Sequence, residues 1–337
     1  MAAESEFHNK KTYVDTLNKK AIERFLEITH DRYHKVVGQE FGKAVPAIFT
    51  DEPQFARKSP LVHASNMEDC FMPWTDDLPE SFRLEYGYDL VDHFPELFWE
   101  TKDRLPSPTR YNYHNHVCER FVSAFSDTIG HWCNDHRIGL TGHMMEEPTL
   151  YSQTSALGEA MRAYRSFSLP GIDILLDRME LNTAKQAQSV SHQSGCRGIL
   201  SEMYGATNWT ATFQDYKGQG DWQAALGVTL RCLHLSLVSM AGESKRDYPA
   251  SINYQSAWYK EYSLVEDHFA RVNTVTTRGR PCVRVGVIHP IESSWLCWGP
   301  ADHTSTEQNE RDENFLRLSE WLLFGMIDFD FISESLL

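Results

Sequence analysis

The sequence predicts an α/β fold built on a parallel sheet, either a (β/α) barrel or an open doubly wound sheet. Three observations carry this. A helix-periodic segment, a short loop and a short apolar run recur in that order five times between Thr16 and Met240. The apolar runs are brief and almost free of polar residues, as expected of strands covered on both faces. Three of them stop at acids: Val45–Thr50 at Asp51-Glu52, Ile138–His143 at Glu146-Glu147, and Gly198–Ser201 at Glu202. In a parallel sheet such residues sit at the C-terminal mouth of the strands, where α/β active sites form.

Each element has its own signal. Leu17, Ala21, Ile22, Phe25, Ile28 and Tyr33 recur at helical spacing from Thr16 to about Val37, and Gly38 and Gly42 punctuate the end before the strand Val45–Phe49. A long irregular stretch, residues 54–79, follows; loops of that length are commonly functional. Val117, Phe121, Phe125, Ile129 and Trp132 predict a second helix leading into the strand Ile138–Thr141. A third helix covers residues 154–167, and Pro170-Gly171 opens the strand Ile172–Leu176. A fourth runs from Asn182 to about Ser194, stopped by Gly195 and Gly198, before Ile199–Ser201. A helix around Trp222–Leu226 precedes a fifth apolar strand within Thr229–Met240. Beyond it, residues 267–277 read as helix, Val283–His289 as a β-branched strand, Phe315–Leu323 as helix and Ile327–Ile332 as strand. A boundary near Arg278-Gly279-Arg280 divides the chain into 1–278 and 279–337. The second piece is thin for an independent core. Five strands are too few for an eight-stranded barrel, so the sheet is open or the chain is a fragment lacking its first strands. The fragment is the preferred reading.

Composition narrows the partners. A net charge of −15 with scattered Lys and Arg argues against nucleic acid. The seven cysteines form no C-x-x-C pair and read as reduced thiols. The amino-terminal residues are polar and acidic, and no apolar run reaches membrane-spanning length, so no membrane partner is expected. As given, the chain reads as cytoplasmic, or as periplasmic or secreted if an upstream signal has been lost. The sequence is silent on oligomeric state.

Acids at several strand ends supply the paired carboxyls of glycoside hydrolysis. Glu52, Glu147 and Glu202 are the candidate acids. Asp51-Glu52-Pro53 also suits a first helical turn, and Glu146-Glu147 suits the acidic start of a helix. Glu202 is less easily explained by packing, because Glu is rarely buried unpaired, and Tyr204 is placed to hydrogen-bond it. His143 with Glu147 is a candidate metal or hydroxyl ligand. Lys245, Arg246 and Asp247 are candidate holders of carboxylates or sugar hydroxyls, with a solvated loop as the plain alternative. Of Trp74, Trp209, Trp222, Trp258 and Trp295, only Trp209 follows an acid-bearing strand, where its ring would pack on a sugar face. His30-Asp31-Arg32-Tyr33-His34 imitates a zinc helix but has Asp in place of the glutamate and lacks a third ligand. No G-x-G-x-x-G, P-loop or G-x-S-x-G occurs.

Phe49-Thr50-Asp51-Glu52-Pro53, Leu140-Thr141-Gly142-His143 with Glu147, Pro170-Gly171-Ile172-Asp173, Leu200-Ser201-Glu202 with Tyr204-Gly205, and Lys245-Arg246-Asp247-Tyr248-Pro249 together resemble large bacterial glycoside hydrolases of the α-L-rhamnosidase-like barrel type. The resemblance covers roughly residues 12–295. It implies a TIM-type (β/α)8 barrel of which this chain holds strands four to eight, at Val45–Phe49, Ile138–Thr141, Ile172–Leu176, Ile199–Ser201 and Leu233–Met240. Strands one to three would lie upstream, and Val283–His289 would begin a truncated flavodoxin-like domain. The resemblance further implies Glu52 as acid, Glu202 as base or nucleophile, Asp173 among the substrate ligands, a carbohydrate substrate in plant or bacterial polysaccharide, and possible Ca2+. An incomplete barrel exposes a sheet edge, so the isolated fragment is expected to be poorly stable or inactive. The alternatives are a non-catalytic or degenerate carbohydrate-binding barrel, in which the three glutamates fail to converge, and a metal-dependent hydrolase built on His143 and two carboxylates.

Overall fold

A computed structural model describes residues 10–100, 106–175, 178–242 and 248–337. Five strands form one sheet: β1 (Ala47–Thr50), β2 (Gly139–Gly142), β3 (Leu169–Asp173), β4 (Ile199–Met203) and β5 (Val228–Leu233). All neighbours are parallel and follow chain order without reversal. A doubly wound sheet reverses its order at a switch point, whereas a barrel does not. The strip is therefore a half-barrel, and the open alternative of a doubly wound sheet is set aside. Among the described residues β1 and β5 each pair on one side only, and their edge positions Phe49 and Leu230 are exposed.

The helices pack outside this strip, with local causes for their limits. Asn18 caps Lys19–Ile28 by accepting from the Lys20 N–H. Thr29 divides the expected single helix: its hydroxyl bonds the Phe25 carbonyl, and a second helix, His30–Val37, restarts beyond it. The predicted helix around residues 117–132 is one long rod, Pro108–Phe121 and Thr128–Asp135, joined by a π-helical turn at Val122–Asp127. The expected helix over residues 154–167 is two short ones, Leu150–Ala156 and Ala160–Ala163.

The fifth strand differs from its expected position. It spans Val228–Leu233 rather than Leu233–Met240, because Gly227, with φ of 95°, ends the helix Phe213–Ala225 and starts the strand earlier. Beyond Leu233 the apolar residues belong to an irregular segment that bonds to residues 251–255.

Beyond residue 280, β6 (Val285–Ile288) and β7 (Phe329–Ile332) form a separate parallel pair joined through the helices Ile291–Leu296 and Ala301–Phe324. Ile291, Trp295, Phe315, Phe329 and Phe331 join the same buried cluster as Tyr113, Phe121, Leu157 and Tyr164 of the half-barrel's helical layer. The segment assigned by sequence to a second domain thus shares one core with the first.

Candidate active site

Four successive strands bring their ends together. At β1 the chain runs from Thr50 into Asp51 and Glu52, the latter in the left-handed region at φ 46°. At β2, Gly142 adopts φ 125°, and a Cβ there would lie 1.9 Å from the Thr50 carbonyl. Only glycine allows this approach, which lets the next amide, His143 N–H, donate to the Thr50 carbonyl at 3.2 Å. His143 is thereby fixed between strands and fully buried, with the Phe49 ring edge-on at 5.5 Å. Asp173 ends β3 and is the register partner of Glu202 on β4.

His143 is the hub of the acids. Its Nε2 lies 3.1 Å from Asp51 Oδ1 and 3.8 Å from Asp173 Oδ2, and its Nδ1 lies 3.6 Å from Glu202 Oε2. Ligand atoms of Glu52, His143 and Asp173 all lie within 4.8 Å of one another, as do those of Asp51, His143 and Glu202. Burial alone would lower the His143 pKa, but Asp51 beside it and the surrounding carboxylates outweigh burial and raise it to about 9. The imidazolium is the stable form. Burial raises Asp173 to about 6, against the pull of His143, and raises Glu52 and Glu202 as well. Asp51 goes the other way, held down chiefly by its contact with His143. The mouth thus keeps Asp51 ionised among acids that retain protons more readily.

Glu147 lies behind His143 and is buried. Its Oε1 accepts from the Met144 N–H and the Tyr164 hydroxyl, both at 3.0 Å, and burial raises it to about 7. Glu146, its neighbour, pairs at the surface with Arg57. Tyr204 is not brought to Glu202. Its φ of 74° turns the ring into a buried aromatic cluster, where its hydroxyl donates to the Tyr216 carbonyl at 2.9 Å. Trp209 is exposed on the loop after β4, whereas Trp295 is a buried core residue. Lys245, Arg246 and Asp247 lie outside the described residues. A cavity of about 370 Å³ opens beside Asp173, lined also by Leu175, Arg178, Glu180 and Gly205.

One mouth residue escaped the sequence reading. His234 directly follows β5, lies against Gly205 and acts electrostatically on both Asp51 and Asp173. Its signal is the one the acids carry, a polar residue ending an apolar run, but that run ends at Leu233 and not at Met240.

A family described as alpha-L-rhamnosidase matches residues 9–289. The chain belongs to this glycoside hydrolase family. No curated protein matches the chain. Among solved structures, a rhamnosidase from Novosphingobium sp. PP1Y is similar, with 18% identity, 82% of this chain and 26% of that one covered, and a TM-score of 0.63. An exo-carrageenase of GH42 from Bacteroides ovatus has 12% identity, covers 97% of this chain and 48% of its own, and has a TM-score of 0.57. Gan42B, a GH42 beta-galactosidase from G. stearothermophilus, has 13% identity, coverages of 77% and 42%, and a TM-score of 0.52. At such identities the three share a fold with the rhamnosidase-family chain, which spans less than half the length of each.

Proposed function

We propose that the chain carries the acid/base centre of a glycosidase acting on α-L-rhamnosides of plant or bacterial polysaccharide. The observation that carries this reading is the convergence of Asp51, Glu52, Asp173 and Glu202 on the buried His143 at one strand mouth. A degenerate barrel would let these acids diverge or pair off separately. Glu52, whose carboxyl holds its proton more tightly than usual, protonates the leaving oxygen; Glu202 activates water or attacks the sugar. His143, with its Nδ1 3.6 Å from Glu202 Oε2, offsets the charge of its neighbours. Glu147, already bonded to Met144 and Tyr164, supports His143 from behind instead of touching the sugar.

Calcium needs more donors than one group here gives. The cation takes about six to eight oxygen ligands, whereas each donor group joins two carboxylates to the His143 imidazolium, and Asp51 and Asp173 belong to different groups. Asp173 Oδ1 is buried without a hydrogen-bond partner among the described residues. Of the two metal candidates named from sequence, His143 is part of both donor groups and Glu147 of neither.

The exposed edges of β1 and β5 support the further reading that three more strands of a longer protein close the barrel. In that longer protein, Glu52→Gln and Glu202→Gln should each lower kcat on an aryl α-L-rhamnoside by about 10²–10⁴-fold. Retention of full activity by either variant sinks the pair. The configuration of the first-formed sugar, read by NMR, separates inversion, with carboxyls about 6.5–9.5 Å apart, from retention at about 5–5.5 Å.

A further inference from the structure

The segment His143–Glu147 is held from behind by two glutamines, one of which is itself held by the last third of the chain. The Glu147 carbonyl accepts from Gln153 Nε2 at 2.8 Å and from Gln186 Nε2 at 3.1 Å. Gln186 is buried and makes every bond its amide allows. Its nitrogen also donates to the Asn182 carbonyl, and its oxygen accepts from Gln153 Nε2 at 2.9 Å and from His289 at 3.0 Å. His289 directly follows β6, is fully buried, and is wedged edge-on against Phe315 and Phe331. Its partner oxygen has no proton to give, so Nε2 carries the hydrogen, and Nδ1 has no hydrogen-bond partner among the described residues. That is the neutral tautomer, which burial favours.

A second hold is independent of the first. The helix Leu150–Ala156 begins just after Glu147-Pro148, and Asp312, from the long helix Ala301–Phe324, accepts from the Leu150 and Tyr151 N–H groups at 2.8 and 3.2 Å. A carboxylate at these orphan donors fixes where the helix starts, and therefore where the preceding turn must end.

We infer that the unit from β6 to β7 is a positioning element for the catalytic mouth, and that His289 is its contact residue, acting through Gln186 on the backbone that carries Glu147 and His143. The inference rests on the glycosidase reading of that mouth. Neither His289 nor Asp312 touches the acids. They set the place of the backbone from which His143 reaches Asp51 and Glu202.

The test uses the full-length protein with His289→Leu and His289→Gln, the second keeping an N–H donor of similar reach. Hydrogen exchange is read at the Met144 amide, which bonds Glu147 Oε1, with amides of the helix Phe213–Ala225 as reference. His289→Leu should speed exchange at Met144 about tenfold without a matching change in the reference helix, and lower kcat about five- to tenfold at unchanged KM. His289→Gln should restore most of both. The inference is overturned if Met144 and the reference helix change alike, if kcat is unaffected, or if the glutamine variant behaves as leucine does. A parent enzyme inert toward α-L-rhamnosides would defeat the proposed substrate, while the exchange measurement would still decide the role of His289.

Discussion

Two regions bury ionisable groups, and they treat them in opposite ways. In the helical layer Glu159 is fully buried and answered on every side: Arg162 Nε donates at 3.0 Å, Ser335 donates at 3.3 Å, and Ser333 bonds the other oxygen. Arg162 in turn reaches Asn115 at 2.8 Å. At the strand mouth, four carboxyls share one imidazolium, and Asp173 keeps an oxygen with no hydrogen-bond partner among the described residues. The first arrangement is complete without a ligand and specifies packing. The second is crowded with like charge and incomplete, which costs stability and leaves donors and acceptors for a substrate.

The largest expected effect tests the satisfied side. Arg162→Met leaves the Glu159 charge buried without its main partner, which should cost about 3–5 kcal/mol in urea unfolding. A loss under about 1 kcal/mol would show that the pair is not structural in this sense. At the mouth the sign should differ. Asp173→Asn removes a crowded charge and should leave stability unchanged or raise it by about 1 kcal/mol, while lowering kcat/KM about 10²-fold. A variant that lost stability instead would place Asp173 with Glu159 as a packing residue.

The amount of each region legible in the sequence follows from the same contrast. Asp51, Glu52, His143 and Glu202 were readable because each interrupts an apolar run, and a charge with no packing reason stands out. Asp173 came through the motif Pro170-Gly171-Ile172-Asp173. Tyr204 misled because alternation along a strand predicts its side, and a left-handed backbone reverses it. His234 was hidden by a strand whose limits were set by Gly227. The fold class was legible in the repeated helix and strand periods, while the break at Thr29 and the π turn at Val122–Asp127 depend on backbone bonding that periodicity does not register. Gln153, Gln186 and His289 gave no signal. Neutral amides and a lone histidine acquire meaning only when distant segments bring them together.

Lys58 offers an intermediate test, because it is buried with its Nζ 2.7 Å from His114 Nδ1. Burial lowers its pKa to about 7. Between that value and the unfolded one, the unfolded chain binds more protons, so this group makes stability rise with pH, and its cost is fully present below about 7. From pH 7 to 9 the rise attributable to Lys58 should be roughly 2 kcal/mol. It should vanish in Lys58→Met when unfolding midpoints are compared at the two pH values. An equal rise in both proteins would assign the effect elsewhere.

The smallest expected effect concerns two adjacent acids that the structure places in opposite settings. Glu147 is buried and bonded to Met144 and Tyr164, whereas Glu146 reaches out to an exposed Arg57. An exposed pair of this kind holds two flexible side chains in high dielectric and is screened by salt, so its net worth is small. Glu146→Gln should therefore change stability by no more than about 0.5 kcal/mol, and kcat/KM should stay within about twofold, because the segment carrying His143 is held from behind instead of through Arg57. A tenfold loss of kcat/KM in Glu146→Gln, with stability intact, would mean that the Arg57 contact helps to set the mouth. The line between satisfied scaffold and unsatisfied site would then have to be drawn one residue earlier in the chain.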